Sequence, residues 1–193
     1  YDAGHAEERV RQALTNDPES ADAHALMARV VLEQSFDFAT AAAYLDRALA
    51  IDPMHVEARV TRAGIVLRDL DFAGADAELD RALAIDPADL GALSVRAAVR
   101  FLADDPRGFA AAKAAVLRLS PRYARMYSIL AEHADWEHRY PEIVAMAREA
   151  VQLDPEDALA HATLGLNLLR MGDETEGLAA LHRYVVEQVD QTS

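Results

Sequence analysis

Nine residues, Leu45-Asp-Arg-Ala-Leu-Ala-Ile-Asp-Pro53, recur letter for letter at Leu79–Pro87. Weaker copies end at Asn16-Asp17-Pro18, Leu119-Ser120-Pro121 and Leu153-Asp154-Pro155. The closing prolines stand at 18, 53, 87, 121 and 155, in steps of 35, 34, 34 and 34 residues. A fixed step of this length means that one supersecondary unit repeats, each copy burying its apolar side on its neighbours.

Each unit reads as two helices. The first carries apolar residues three and four apart; after a polar turn, the second follows the pattern small-x-x-x-large-x-x-small and stops at Asp-Pro. Proline explains the stop, because it lacks a backbone donor and pushes the preceding residue out of helical geometry. The Asp before it is expected to accept backbone hydrogen bonds as the chain turns. Residues 1–20 hold the second half of a truncated unit, with Tyr1-Asp2 in the place of the inter-helix turn. Five units follow at 21–55, 56–89, 90–123, 124–157 and 158–191, which we take as a single array over 1–193. The first helix is expected to lack its hairpin partner and the last unit ends without Asp-Pro, so both ends are expected to continue in a longer parent.

Composition narrows the function. Apolar residues make up 52% of the chain and aromatics 6%, a small-residue content suited to close helix contacts. The absence of cysteine excludes disulfides, thiolate metal sites and a cysteine nucleophile. Apolar runs are far shorter than a membrane span. One lysine against 18 arginines, with heavy use of Ala, points to a GC-rich bacterial gene. Nothing chooses between cytoplasm and periplasm. Residues 1–89 carry 18 acids and 8 bases (−10), 90–131 carry 2 and 7 (+5), and 132–193 carry 13 and 4 (−9). Such an acidic chain is a poor nucleic-acid binder, and its basic middle is the one segment that would draw an acidic partner.

The small Ala28, Ala63, Ala97, Ala131 and Gly165, the contact alanines Ala48, Ala82 and Ala150 and the closing prolines make the chain resemble the tetratricopeptide repeat (TPR) family. The resemblance implies an all-α, right-handed α-α superhelix of about eleven helices. Unit three departs from the pattern at Lys113 and Val116, and Arg62 and Arg96 stand where a residue such as Leu is usual; both arginines are expected to pair with acids or snorkel. Tyr123–Tyr127, Leu130-Ala131-Glu132, Arg139-Tyr140 and Leu164–Glu174 are also similar to repeat arrays of large bacterial proteins that carry a zinc-peptidase-like domain.

The sequence offers no chemistry of its own. His-Glu-x-x-His, Gly-x-Ser-x-Gly and phosphate-loop motifs are absent. His133 and His138 are five apart, on different sides of a helix, so they are poorly placed to share an ion; His24 and His161 occupy equivalent places, which favours packing over ligation. No catalytic residue, metal site or cofactor is expected.

The resemblance places partners on the concave face lined by first helices. Counting along them assigns Arg29, Val60, Leu67, Ser94, Phe101, Ser128, Glu132, Trp136, Leu166 and Leu169 to that face, with Asp22, Glu57, Arg125, Asp135, Leu159 and Ala162 among their neighbours. The family's carboxylate clamp uses Lys and Asn there; this chain has Ala25, Arg29 and Val95, so the clamp is rejected. Arg96, Arg100, Arg107, Lys113, Arg118, Arg122 and Arg125 read either as an electrostatic dock or as a solvated face balancing acidic neighbours. The chain is expected to be a non-catalytic scaffold for a protein or peptide. The alternatives are an accessory domain of a larger enzyme and a structural module that self-associates through incomplete ends.

Overall fold

The computed structural model describes residues 3–190, with side chains over 5–185. Within them lie eleven α-helices and no strand: α1 (Ala3–Asn16), α2 (Ala21–Ser35), α3 (Phe38–Ile51), α4 (Val56–Arg68), α5 (Phe72–Ile85), α6 (Leu90–Leu102), α7 (Pro106–Leu119), α8 (Arg125–Asp135), α9 (Tyr140–Leu153), α10 (Ala158–Arg170) and α11 (Glu174–Asp190). Even-numbered helices are the first helices of the units. The Tyr1-Asp2 turn lies outside the described residues.

The punctuation follows the sequence. Asp17, Asp52, Asp86 and Asp154 each accept through Oδ1 from the backbone N–H two residues on, at 2.8–3.4 Å. Three residues after each of these acids, Ser20, His55, Asp89 and Asp157 cap the next helix by accepting from the N–H three residues further. Second helices are capped the same way by Asp37, Asp71, Asp105 and Asp173. Much of the acidic excess is therefore helix-end chemistry. Unit four differs: Tyr123 and Arg139 stand at the equivalent positions, and neither α8 nor α9 has a side-chain cap.

The turn inside each hairpin is reached through a left-handed residue at Phe36, Leu70, Asp104, His138 and Gly172, again 34 apart, with φ of 52°, 55°, 51°, 55° and 87°. Only the last is glycine, the residue that adopts this geometry without steric cost.

A second repeated device ties each first helix to the turn before it. His24 Nε2 and His161 Nε2 each lie 2.9 Å from the carbonyl oxygens of Pro18 and Pro155, and must donate because a carbonyl only accepts. In unit two the equivalent Arg59 donates from Nε to the Pro53 carbonyl at 3.1 Å. Arg59 also reaches the buried Glu78 on α5 at 2.9 Å, and Arg81 holds the other Glu78 oxygen at 2.7 Å.

Packing divides the chain into two compact units, Tyr1–Ala92 and Leu93–Ser193, with the boundary inside α6. In the first, Ala25, Ala28, Ala41, Leu45, Ala48 and Ala58 form one cluster, and Val10, Met27 and Val30 seat α1 on α2. In the second, Val144, Ala147, Leu164, Leu168 and Ala180 join α9, α10 and α11, while Ala131, Ala134 and Ile143 join α8 to α9, with Phe101 and Tyr140 packed against them. Arg62 pairs with Asp46, so that substitution of an apolar position is met by an ion pair.

Candidate functional site

First helices carry the surface that varies between units. In the first compact unit, α2 and α4 are bridged by polar pairs. His55 accepts from the Ala58 N–H through Nδ1, which leaves Nε2 to donate to Asp22 Oδ1 at 3.0 Å. Arg29, expected on the concave face, is paired with Glu57. Val60 is half-buried. Leu67 and Ser94 are fully buried, 0% exposed, so neither offers surface to a partner; close packing leaves no room above them.

In the second unit a groove of about 420 Å³ opens between α8 and α10. One side carries Arg125, Ser128, Ile129, Ala131, Glu132 and Asp135; the other carries Leu159, Ala162, Thr163, Leu166, Asn167 and Arg170. Among the expected concave-face residues, Ser128, Glu132 and Leu166 meet here, joined by Arg125 from the basic segment. Arg170 and Asp135 form an ion pair at one end, and Asn167 steadies it by accepting from Arg170 at 3.2 Å while donating to the Thr163 carbonyl at 2.8 Å. Two side chains in the groove have no such partner. Arg125 is exposed and makes no ion pair among the described residues. The Ser128 Oγ is occluded and makes no hydrogen bond. Leu159 and Leu166 are about half exposed, at 52% and 51%.

The remaining expected residues lie elsewhere. Phe101 packs on Phe109 with ring centroids 5.7 Å apart, under the Arg139 guanidinium at 4.2 Å. Leu169 packs where α10 crosses α11, within 3.0 Å of the place a Gly177 Cβ would take. Trp136 follows α8 and meets His133 edge-on at 6.1 Å; it does not line the groove. Counting one helix face missed Ile129, Thr163, Asn167 and Arg170, because a groove between two helices draws on the flanks of both.

No protein-family model matches the sequence, and no curated protein matches it. Solved structures do. TTC0263, a TPR protein of Thermus thermophilus, is 19% identical over 86% of this chain and 91% of its own, with a TM-score of 0.67. PilF of Pseudomonas aeruginosa is 19% identical over 93% and 81%, with a TM-score of 0.60. YrrB, described as a TPR protein with an unusual peptide-binding site, is 16% identical over 97% and 96%, with a TM-score of 0.55. The chain has the tetratricopeptide-repeat fold.

On this TPR frame the basic segment is partly neutralised by the unit that follows it. Lys113, standing where Leu45 and Leu79 are buried in other units, pairs with Glu149 and lies 5.2 Å from the Tyr127 ring centre. The Tyr127 hydroxyl donates to the same Glu149 at 2.7 Å. Burial pushes the Glu149 carboxyl up, but the bonds from Lys113 and Tyr127 outweigh it and hold the group below the usual carboxylate range. Arg122 contacts Asp154 at 3.2 Å. Arg96 and Arg100 have partners as well. Arg107, Arg118 and Arg125 are the exposed arginines of the segment without an ion pair among the described residues.

His133 is buried on the α8 side that packs inward, and desolvation lowers its imidazole to about 4. His138 sits exposed in the turn with Nδ1 2.8 Å from the Tyr140 hydroxyl, so the two histidines face different surroundings.

Proposed function

We propose that this chain is a non-catalytic protein-interaction module that holds a peptide segment of its partner in the α8–α10 groove. One observation carries the reading: residues assigned to the partner-facing side by counting alone, Ser128, Glu132 and Leu166, converge on an open groove of about 420 Å³ that exposes two leucines. An apolar strip flanked by a few polar groups suits a peptide chain. YrrB, which shares the fold, is described as having a peptide-binding site, and that supports the same use here. The placement of many acids as helix caps and of two histidines on proline carbonyls supports a structural rather than a chemical role for them.

Selection of a random-peptide display library on the folded chain tests the reading. Selected peptides are expected to slow amide exchange in α8 and α10. A library that yields no binder, or binders that protect only other helices, would sink it.

A further inference from the structure

The groove is not uniform along its length, and the difference names the class of peptide it takes. Arg125 begins α8 and Asp135 ends it, so the two lie about 15 Å apart at 1.5 Å per residue. At the Asp135 end the charge is already answered by Arg170. At the Arg125 end three kinds of donor are left over. The guanidinium of Arg125 has no carboxylate partner among the described residues. The Ser128 hydroxyl, three residues on and therefore on the same helix face, is occluded without a hydrogen bond. The first-turn amides of α8 have no side-chain cap, whereas α2, α4 and α10 are capped by Ser20, His55 and Asp157, and Asp89 accepts in the same way at the start of α6. An unpaired guanidinium at an uncapped helix start favours an anion.

The apolar part lies further along. By the 34-residue step, Leu159 is level with Arg125 and Leu166 with Glu132. Seven residues of helix separate those levels by about 10 Å, which a polyproline-II chain, rising about 3.1 Å per residue with three residues per turn, covers in three residues with both side chains on one face.

Building on the peptide-groove reading above, we propose that the α8–α10 groove selects a segment in which an Asp or Glu side chain docks on Arg125, beside Ser128, and an apolar side chain three residues away docks on Leu166. Charge complementarity commits the occupant: the unanswered groups at that end are donors, and the exposed carbon lies one reach beyond them. A carboxylate there accepts two charge-assisted bonds from the guanidinium, while a neutral amide gains only weaker ones.

Peptides acetylated at the N-terminus and amidated at the C-terminus, carrying Glu-Ser-Ser-Leu, Gln-Ser-Ser-Leu or Glu-Ser-Ser-Ser between Gly-Ser flanks, test this by titration against the whole chain with amide NMR shifts of α8 and α10 as the readout. The Glu-Ser-Ser-Leu peptide is expected to bind about tenfold more tightly than either variant at low salt, the preference over Gln shrinking as salt rises. Arg125→Gln, at an exposed side chain, is expected to abolish the Glu-over-Gln preference while circular dichroism stays unchanged. Equal binding of the Glu and Gln peptides in the groove would overturn the acidic subsite and leave the groove reading standing. A Gln peptide with a free C-terminus that binds as well as the Glu peptide would make the ligand a terminal carboxylate and overturn the side-chain assignment. No shift in α8 or α10 with any peptide would overturn both.

Discussion

His161 on α10 donates through Nε2 to the carbonyl oxygen of Pro155 at 2.9 Å, and so fastens the first helix of the last unit to the turn that closes the unit before it. Arg59 makes the same connection to Pro53. A buried donor bond of this kind contributes about 1 kcal/mol. His161→Leu is expected to lower unfolding stability by about that amount in urea titrations, and His161→Arg to recover part of it because Arg59 shows that a guanidinium can reach. Equal loss in both variants would mean that the imidazole acts by packing rather than by its bond.

The left-handed turn residues hold removable strain. Phe36 adopts φ 52° with 67% of its surface exposed, so little packing is lost on its removal. Phe36→Gly is expected to stabilise the chain by about 1 kcal/mol and Gly172→Ala to destabilise it by about as much, because a Cβ disfavours this geometry. Thermal melts check both; a lower Tm for Phe36→Gly would contradict the strain argument.

Gly165 stands where the other units carry alanine, yet a Cβ there would lie 2.8 Å from the Gly177 backbone oxygen and 2.7 Å from the Leu181 side chain. α10 and α11 approach through this glycine pair. Gly165→Ala, although it raises intrinsic helix propensity, is expected to cost about 1–3 kcal/mol through overpacking. Chemical denaturation reads the outcome, and a neutral result would show that α11 shifts freely.

Glu78 is 8% exposed and holds Arg59 and Arg81 at once. Removing one member of a buried pair leaves an uncompensated charge, so Glu78→Ala is expected to cost about 3 kcal/mol. A double-mutant cycle with Arg59→Met measures the coupling; additive effects would show that the pair contributes nothing as a pair.

Buried His133 makes stability depend on pH. Its folded imidazole titrates at about 4 against an ordinary 6.5, so between these values the unfolded chain binds the extra proton. Stability is therefore full above pH 6.5 and falls as pH drops towards 4, by about 2 kcal/mol between pH 7 and pH 5. His133→Leu is expected to flatten that slope in urea titrations at the two pH values. An unchanged slope would place the titration elsewhere.

Much of the fold was legible in the chain. The Asp-Pro stops, the small residues at helix contacts and the equivalence of His24 and His161 all follow from identities repeated at a fixed step. Ala28, Ala48, Ala63, Ala82 and Ala97 are each 0% exposed, as residues chosen for close approach should be. The candidate site was legible only in part. Ser128, Glu132 and Leu166 could be placed by helical counting, but Ile129, Thr163, Asn167 and Arg170 could not, since their exposure depends on how α8 and α10 are spaced. Counting put Leu67 and Ser94 on the open face, and packing closed over them. The turn residues at 36, 70, 104 and 138 were hidden for another reason: glycine is the usual sign of a left-handed residue, and only Gly172 shows it.

The sequence by itself determined the period, the helix ends and the small-residue contacts, because each depends on local geometry that a few residue types impose wherever they occur. The tertiary structure alone decided which charges are answered. Lys113 and Glu149, Arg29 and Glu57, and Arg170 and Asp135 are 36, 28 and 35 residues apart, and only the distance between packed helices makes them partners. That same spacing left Arg125 and the Ser128 hydroxyl without acceptors, a property of the space around them rather than of their place in the repeat.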